Sequence, residues 1–221
     1  MRMRTLTRTL AAAAAIAAAG WPAAAPAEIG IGADVVSRYV WRGTDFGNAV
    51  SVQPGIAFSR EAVEIGAWSS WAISGGGANE NDLYVTYSVG QVSVTVTDYY
   101  FPVSAPGDFF NFSDEDGIHV LEASAGVDLG MASVMAAFNF LGDADDSFWV
   151  EASIPLAALS GDTEVGLTVG AGNGVYTNDG AAEGDPGLVS ISLDVSDGDY
   201  FASYILNPDA EISFLVFGRS F

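Results

Sequence analysis

The sequence has no cysteine. Neither a disulfide framework nor a thiolate metal centre can form, so stability must come from packing and backbone hydrogen bonds. Lysine is absent too, and seven arginines face 28 carboxylates. Such a surface repels a phosphate backbone, because nucleic-acid binding depends on cationic side chains neutralising phosphates. Nucleic acid is therefore excluded as a partner. Histidine occurs once, as His119. No stretch supplies the roughly 18 uninterrupted apolar residues that a membrane-spanning helix needs. Disorder is excluded as well, since half of the residues are hydrophobic and 12% are aromatic.

What is present begins with Arg2, Arg4 and Arg8, the apolar stretch Leu10 to Trp21, and small residues ending in Ala25-Pro26-Ala27. Basic, hydrophobic and cleavage regions in that order predict a signal peptide over residues 1–27. The mature chain then starts at Glu28, and 221 less 27 leaves 194 residues, a length suited to one domain over 28–221. Its basic side chains are Arg38, Arg42, Arg60 and Arg219, so its net charge is 4 minus 28, or −24.

From Glu28 onward the chain alternates apolar and polar residues in short runs broken by Gly, Asp, Asn and Pro, which is a strand and hairpin signal. Leu83, Val85, Tyr87 and Val89 interleave with Asp82, Tyr84, Thr86 and Ser88. Val165, Leu167, Val169 and Ala171 form a second such set, and Val189, Ile191, Leu193 and Val195 a third. Period two puts each apolar set on one face. Strands are predicted near 29–42, 48–59, 61–72, 82–90, 91–101, 118–129, 131–141, 147–157, 162–172, 187–196, 199–206 and 210–221, twelve in all. Alternate connections are tight: Arg60-Glu61, Gly90-Gln91, Gly130, Ser160-Gly161 and Ser196-Asp197-Gly198. The longer ones fall between them. This parity predicts an all-β, up-and-down antiparallel transmembrane β-barrel with short turns at one rim and loops at the other. Alternation alone would also suit a soluble secreted β-sandwich with one wet face.

In a membrane barrel the apolar faces meet lipid and the other faces line the lumen. That rule sends Asp34, Arg38, Arg42, Glu64, Asp82, Glu122, Glu151, Glu164 and Asp194 inward. Buried charges must be paired or hydrated. Two lumens meet that condition: a narrow wet pore favouring cations, and a plugged interior in which the arginines knit the carboxylates together. The narrow pore is the primary expectation. Tyr39, Trp41, Trp71, Phe138, Phe140 and Tyr204 stand near predicted strand ends, where rings with polar tips form interfacial girdles.

The last strand, Glu211-Ile212-Ser213-Phe214-Leu215-Val216-Phe217-Gly218-Arg219-Ser220-Phe221, resembles the C-terminal signature of outer-membrane proteins. There a final aromatic, here Phe221, is read by the barrel-assembly machinery. Arg219 departs from the pattern, which prefers an apolar residue at that place. The first strand contains Tyr39-Val40-Trp41-Arg42-Gly43, and Gln53-Pro54 follows in the second. These blocks resemble the opening of the TorF-type (Gcw_chp) porin family. The resemblance implies an outer-membrane channel of undefined solute, in contact with outer-membrane lipid and lipopolysaccharide.

The carboxylates Asp114-Glu115-Asp116 and Asp143-Ala144-Asp145-Asp146 could gather divalent cations through oxygen, but EF-hand spacing around Gly117 puts Phe112 and Ala123 at the terminal ligand positions. No defined metal site and no cofactor is expected. Barrel phospholipases use Ser and His, and Ser113 and Ser124 lie near His119, but nothing else supports a triad. The chain is read as a non-enzyme that passes ions or small hydrophilic solutes. The rivals are a non-conducting barrel whose loops, with Phe109, Phe110, Phe112 and Tyr176, bind a partner or cover the outer surface, and the soluble sandwich.

Overall fold

The computed structural model describes residues 27–102, 109–113, 117–158, 163–178 and 185–221. Most of the expected leader, the Asp114-Glu115-Asp116 cluster and the Ser160-Gly161 turn lie outside these residues. The strands are β1 (Glu28–Val36), β2 (Val40–Trp41), β3 (Thr44–Asp45), β4 (Ser51–Arg60), β5 (Val63–Ala72), β6 (Glu80–Val89) and β7 (Val92–Tyr100). They continue as β8 (His119–Asp128), β9 (Ser133–Leu141), β10 (Phe148–Ala158), β11 (Thr163–Gly172), β12 (Gly187–Asp197), β13 (Tyr200–Asn207) and β14 (Ile212–Ser220). A single 3-10 turn, Gly174–Tyr176, is the one helical element among the described residues.

Twelve of these strands close into an antiparallel barrel in which each pairs with its sequence neighbours, and β1 meets β14 to shut the ring. The seam aligns Asp34 with Ser220, Val35 with Arg219 and Val36 with Gly218. A closed ring is incompatible with the two-sheet sandwich, so that rival is set aside: here the last strand has the first as its partner, and the twelve-stranded ring leaves no edge open. The tight connections gather at one rim, where Glu61, Gly90, Gly130 and Gly198 take positive φ. Both ends of the barrel chain sit there as well, since Glu28 pairs with Ser59 and the Ser220 N–H donates to the Asp199 carbonyl beside the Gly198 turn.

Pairing decides which face is which, because directly opposed residues share a side of the sheet. Ile29, Ile31, Ile56, Phe58, Ile65, Leu83, Val85, Val94 and Val96 are exposed on the outer surface. Leu167, paired with Ile154 and Leu193, is outside too. The inner face is small or polar: Thr86 and Thr95 hydroxyls meet at 2.9 Å, as do Ser153 and Thr168. The usual globular arrangement is thus inverted, with the broad apolar surface outside.

Two departures from strict alternation matter. At β12 the ladder slips, so that Gly170 pairs with Ser190 but Ala171 with Leu188, leaving Val189 as a bulged extra residue. The bulge turns Val189 inward, fully buried, away from the outer face expected for it beside Ile191. The second departure is the first strand, which stops at Val36 instead of continuing to 42.

Val35 and Arg219 are opposed across the seam, at the separation of antiparallel partners that suits a disulfide. With no native cysteine to compete, Val35→Cys combined with Arg219→Cys should oxidise in the folded chain. A reductant-sensitive shift in gel migration reads this out; a folded chain that refuses to cross-link would mean an open sheet.

Candidate functional site: the inward hairpin at the loop end

After Val36 the chain leaves the wall. The Ser37 N–H donates to the Phe217 carbonyl at 2.8 Å and the Ser37 hydroxyl accepts from the Phe217 N–H at 3.0 Å, pinning the exit point to β14. Residues 38–50 then fold into the barrel mouth. Within them β2 and β3 pair through Val40 with Asp45 and Trp41 with Thr44. The two residues between, Arg42 and Gly43, have φ of 50° and 77°. Positive φ at both central positions is the type I′ hairpin arrangement, whose twist matches that of the flanking strands. Glycine suits it. Arginine does not, and the left-handed conformation costs it about 1–2 kcal/mol.

The surroundings of Arg42 offset that cost. Its guanidinium forms a two-pronged ion pair with Glu122 of β8, in which the Nη2–Oε1 distance is 3.1 Å, and Nη1 donates to the Tyr176 hydroxyl at 2.6 Å. The guanidinium lies over Trp41 at 4.2 Å, with Tyr176 and Trp149 at 5.2 and 5.5 Å. Tyr99 donates to Glu122 Oε1 at 3.2 Å. Both charged side chains are almost completely buried. Burial, opposed by the Arg42 charge and reinforced by Glu122, pushes the Tyr176 phenol up to about 12, so it remains a donor at neutral pH. Gly43 packs so closely on β12 that a Cβ would stand 2.4 Å from the Val189 carbonyl oxygen. Its own carbonyl accepts from Asn207 Nδ2 at 3.0 Å.

The hairpin is also tied to the loop after β5, with Ala78 N–H donating to the Phe46 carbonyl at 2.7 Å. Tyr39 is buried against Phe46 and Trp68 and hydrogen-bonds Glu80. Arg38 reaches Asn48 at 2.5 Å and Asp45 at 3.7 Å and lies over the Phe214 ring. Beside the hairpin is a cavity of about 190 Å³ lined chiefly by Trp41, Phe46, Tyr99, Phe101, Asn139 and Tyr176.

The remaining sequence-derived residues fall as follows. Asp34 is buried on the inner side between Gln53 and Ser220. Glu64 accepts from Ser59 and Tyr84 at 2.8 and 3.0 Å. Asp82 is buried beside Glu80. Glu151 accepts from Trp149 Nε1 at 3.0 Å, and Asp194 from Ser192 at 2.5 Å and Thr168 at 3.3 Å. Glu164, opposite Ser196, is exposed at the turn rim on the lumen side. Trp71, Phe138 and Phe140 are exposed on the outer wall toward the loop rim, while Tyr204 is outside at mid-strand. Phe221 shares the outer face with Leu215, Phe217 and Arg219.

Tyr39 and Trp41 are the corrections: they are inside the barrel, not in an outer girdle. Extending β1 to 42 assigned them by parity, but parity lapses where the chain departs from the sheet. Trp149 and Glu80 could have been found from strand parity, since each lies two residues from a carboxylate assigned inward. Tyr176 carried no such signal.

His119 makes no catalytic arrangement with Ser124, which pairs with the inward Thr95 on the other side of the sheet. Its Nε2, where a serine nucleophile would need to be, is held by the Phe109 carbonyl at 2.7 Å. Among the described residues no group of three or more His, Asp or Glu side chains could hold a metal ion.

Fold and site together define a closed, twelve-stranded antiparallel β-barrel with an ion-paired hairpin turned into its loop end. A family model described as a bacterial protein of unknown function (Gcw_chp) matches residues 20–196, and the chain belongs to that family. The match covers the hairpin and Glu122 and stops before β13 and β14. No curated protein and no solved structure matches the chain.

Removing Arg42 would strand Glu122 in a buried site, which typically costs about 3–5 kcal/mol. Arg42→Ala should lower unfolding stability by about that amount in urea titrations followed by tryptophan fluorescence. Adding Glu122→Gln should return part of the loss, because the orphaned charge is gone. Equal stability of wild type and Arg42→Ala would show that the pair does not hold the hairpin.

Proposed function

We propose that this protein is an outer-membrane channel for small hydrophilic solutes, cation-preferring, with its narrowest point at the Arg42-Gly43 hairpin. The observation carrying this reading is the inverted barrel: Ile31, Val85 and Leu83 are exposed outside, while Glu64, Glu122 and Asp194 are inside. An outward apolar surface over the whole wall is costly in water and favourable in hydrocarbon, and strands of 8 to 11 residues are close to the length that crosses a bilayer. The N-terminal arginines and apolar run support export through a cleaved leader. Outer exposure of Leu215, Phe217 and Phe221 supports recognition by the barrel-assembly machinery.

The lumen supports passage by its polarity. Three buried oxygens, Glu80 Oε2, Asp82 Oδ1 and Asn139 Oδ1, have no protein hydrogen-bond partner, and buried polar atoms of this kind ordinarily take water. Carboxylates outnumber the inward arginines, and both Arg38 and Arg42 are already paired, so the field left over attracts cations. The resemblance to TorF-type porins points the same way. No cofactor and no catalysis enters this reading.

A second reading, a non-conducting barrel, is favoured by one observation, the buried ion pair and aromatic packing that close on the hairpin. Planar-bilayer recording under a salt gradient separates the two. A channel gives unitary currents with a reversal potential of cationic sign, and Glu64→Gln with Asp194→Asn moves that potential toward zero. Arg42→Ala, which frees the hairpin, increases the current. Silence from both the native and the Arg42→Ala protein would sink the channel and leave the structural barrel.

A further inference from the structure

One polar cluster lies outside the lumen altogether. Asp98 pairs with Leu83 and Leu121, and Tyr100 pairs with His119, which places all of them on the outer wall. A lone carboxylate there would face hydrocarbon at a cost. Asp98 is not alone: its Oδ1 lies 2.7 Å from His119 Nδ1, and His119 Nε2 lies 2.7 Å from the Phe109 carbonyl oxygen. Both ring nitrogens thus have an oxygen partner, and the imidazole bridges the Asp98 carboxylate and the Phe109 backbone. Phe112 stacks on the imidazole at 4.1 Å and Tyr100 at 4.9 Å, and Phe109 meets its edge. The imidazole is consequently buried although its strand position faces outward. Residues 109–113, between β7 and β8, therefore lie against the outside of the barrel over His119. Phe110 is 86% exposed, the most exposed large hydrophobic side chain among the described residues.

We propose that residues 109–113 form a membrane-anchoring latch: the Asp98–His119 pair pins them to the outer wall so that Phe109, Phe110 and Phe112 enter the headgroup-to-acyl boundary of the surrounding lipid leaflet. The partner is lipid because the trio continues a surface that is already apolar. Tyr100 lies beneath it, and Phe138 and Phe140 are exposed on the neighbouring β9. Aromatic rings are favoured at that depth. The proposal rests on the membrane reading above.

The cysteine-free chain allows one unique label per variant. A nitroxide is attached to Phe110→Cys, to Val85→Cys on the wall, and to Gly75→Cys in the loop after β5. Each full-length protein is folded into phosphatidylcholine vesicles, and collision with oxygen is compared with collision with a water-soluble nickel chelate. The oxygen-to-nickel ratio at 110 should exceed that at 75 several-fold and lie below that at 85, which sits deeper in the wall. In an Asp98→Asn, His119→Gln background, which removes the carboxylate–imidazole pair, the ratio at 110 should fall to that at 75 while the ratio at 85 holds. A water-like label at 110 beside a lipid-like label at 85 would overturn the latch and spare the barrel. Water-like labels at both would overturn the membrane reading itself. A lipid-like label at 110 that ignores the double substitution would overturn the pinning role of the pair. Dipolar broadening between labels at 110 would make a second copy the occupant and overturn the lipid assignment.

Discussion

A sheet that turns its apolar face outward gains no globular core in water, so closure of the backbone ladder is the constraint on which this molecule depends. Every strand must find partners on both sides, because an open edge would leave a row of unpaired N–H and C=O groups. The β1–β14 seam is short, three aligned residue pairs, since β1 departs into the lumen at Val36. The Ser37 contacts with Phe217 extend it by side chain and backbone just where the ladder ends. The turn from wall to lumen is therefore made at the seam itself, where the first and last strands meet.

The lumen is organised in two storeys. Toward the turns it is lined by small hydroxyls and carboxylates that bond to one another, as in the Thr86–Thr95 and Ser59–Glu64 contacts. Toward the loops it is filled by rings around one buried arginine. Two small apolar clusters sit here, one around Trp149 and Val189 and one around Phe214 and Val216, with Trp41 and Val40 of the hairpin packed on them. Arg42 accepts an unfavourable backbone conformation because its guanidinium finds a carboxylate, a phenol and an indole face together. A strained residue held by its surroundings at the mouth of a barrel is a natural place for a constriction, which is why the proposed channel is narrowest there.

Some of this arrangement was legible one residue at a time. Period-two alternation separates the outer Leu83-Val85-Tyr87 set from the inner Asp82-Tyr84-Thr86 set, and loop parity arranges the strands up and down. Charge also spoke clearly: Glu64, Glu122 and Asp194 stand among apolar neighbours in strands, so they belong on the opposite face. Alternation failed at Tyr39 and Trp41, because nothing in a local pattern announces that a strand has ended while its residues still look strand-like. It failed at Val189 for a related reason, since one bulged residue reverses the face without altering composition.

The sequence by itself determined that the chain is all β, that one face of each strand is apolar, and that it holds neither disulfide nor cysteine-ligated metal; these follow from local periodicity and residue type. Only the tertiary structure decided that the Tyr-Val-Trp-Arg-Gly block is an inward hairpin, that Glu122 is the partner of Arg42, and that the single histidine faces outward under an aromatic lid. The pairs Arg42–Glu122 and Asp98–His119 join positions 80 and 21 residues apart. The first pairing is set by the closure of the whole barrel and the inward hairpin, and the second by the register of β7 on β8, conditions that no local window of sequence contains.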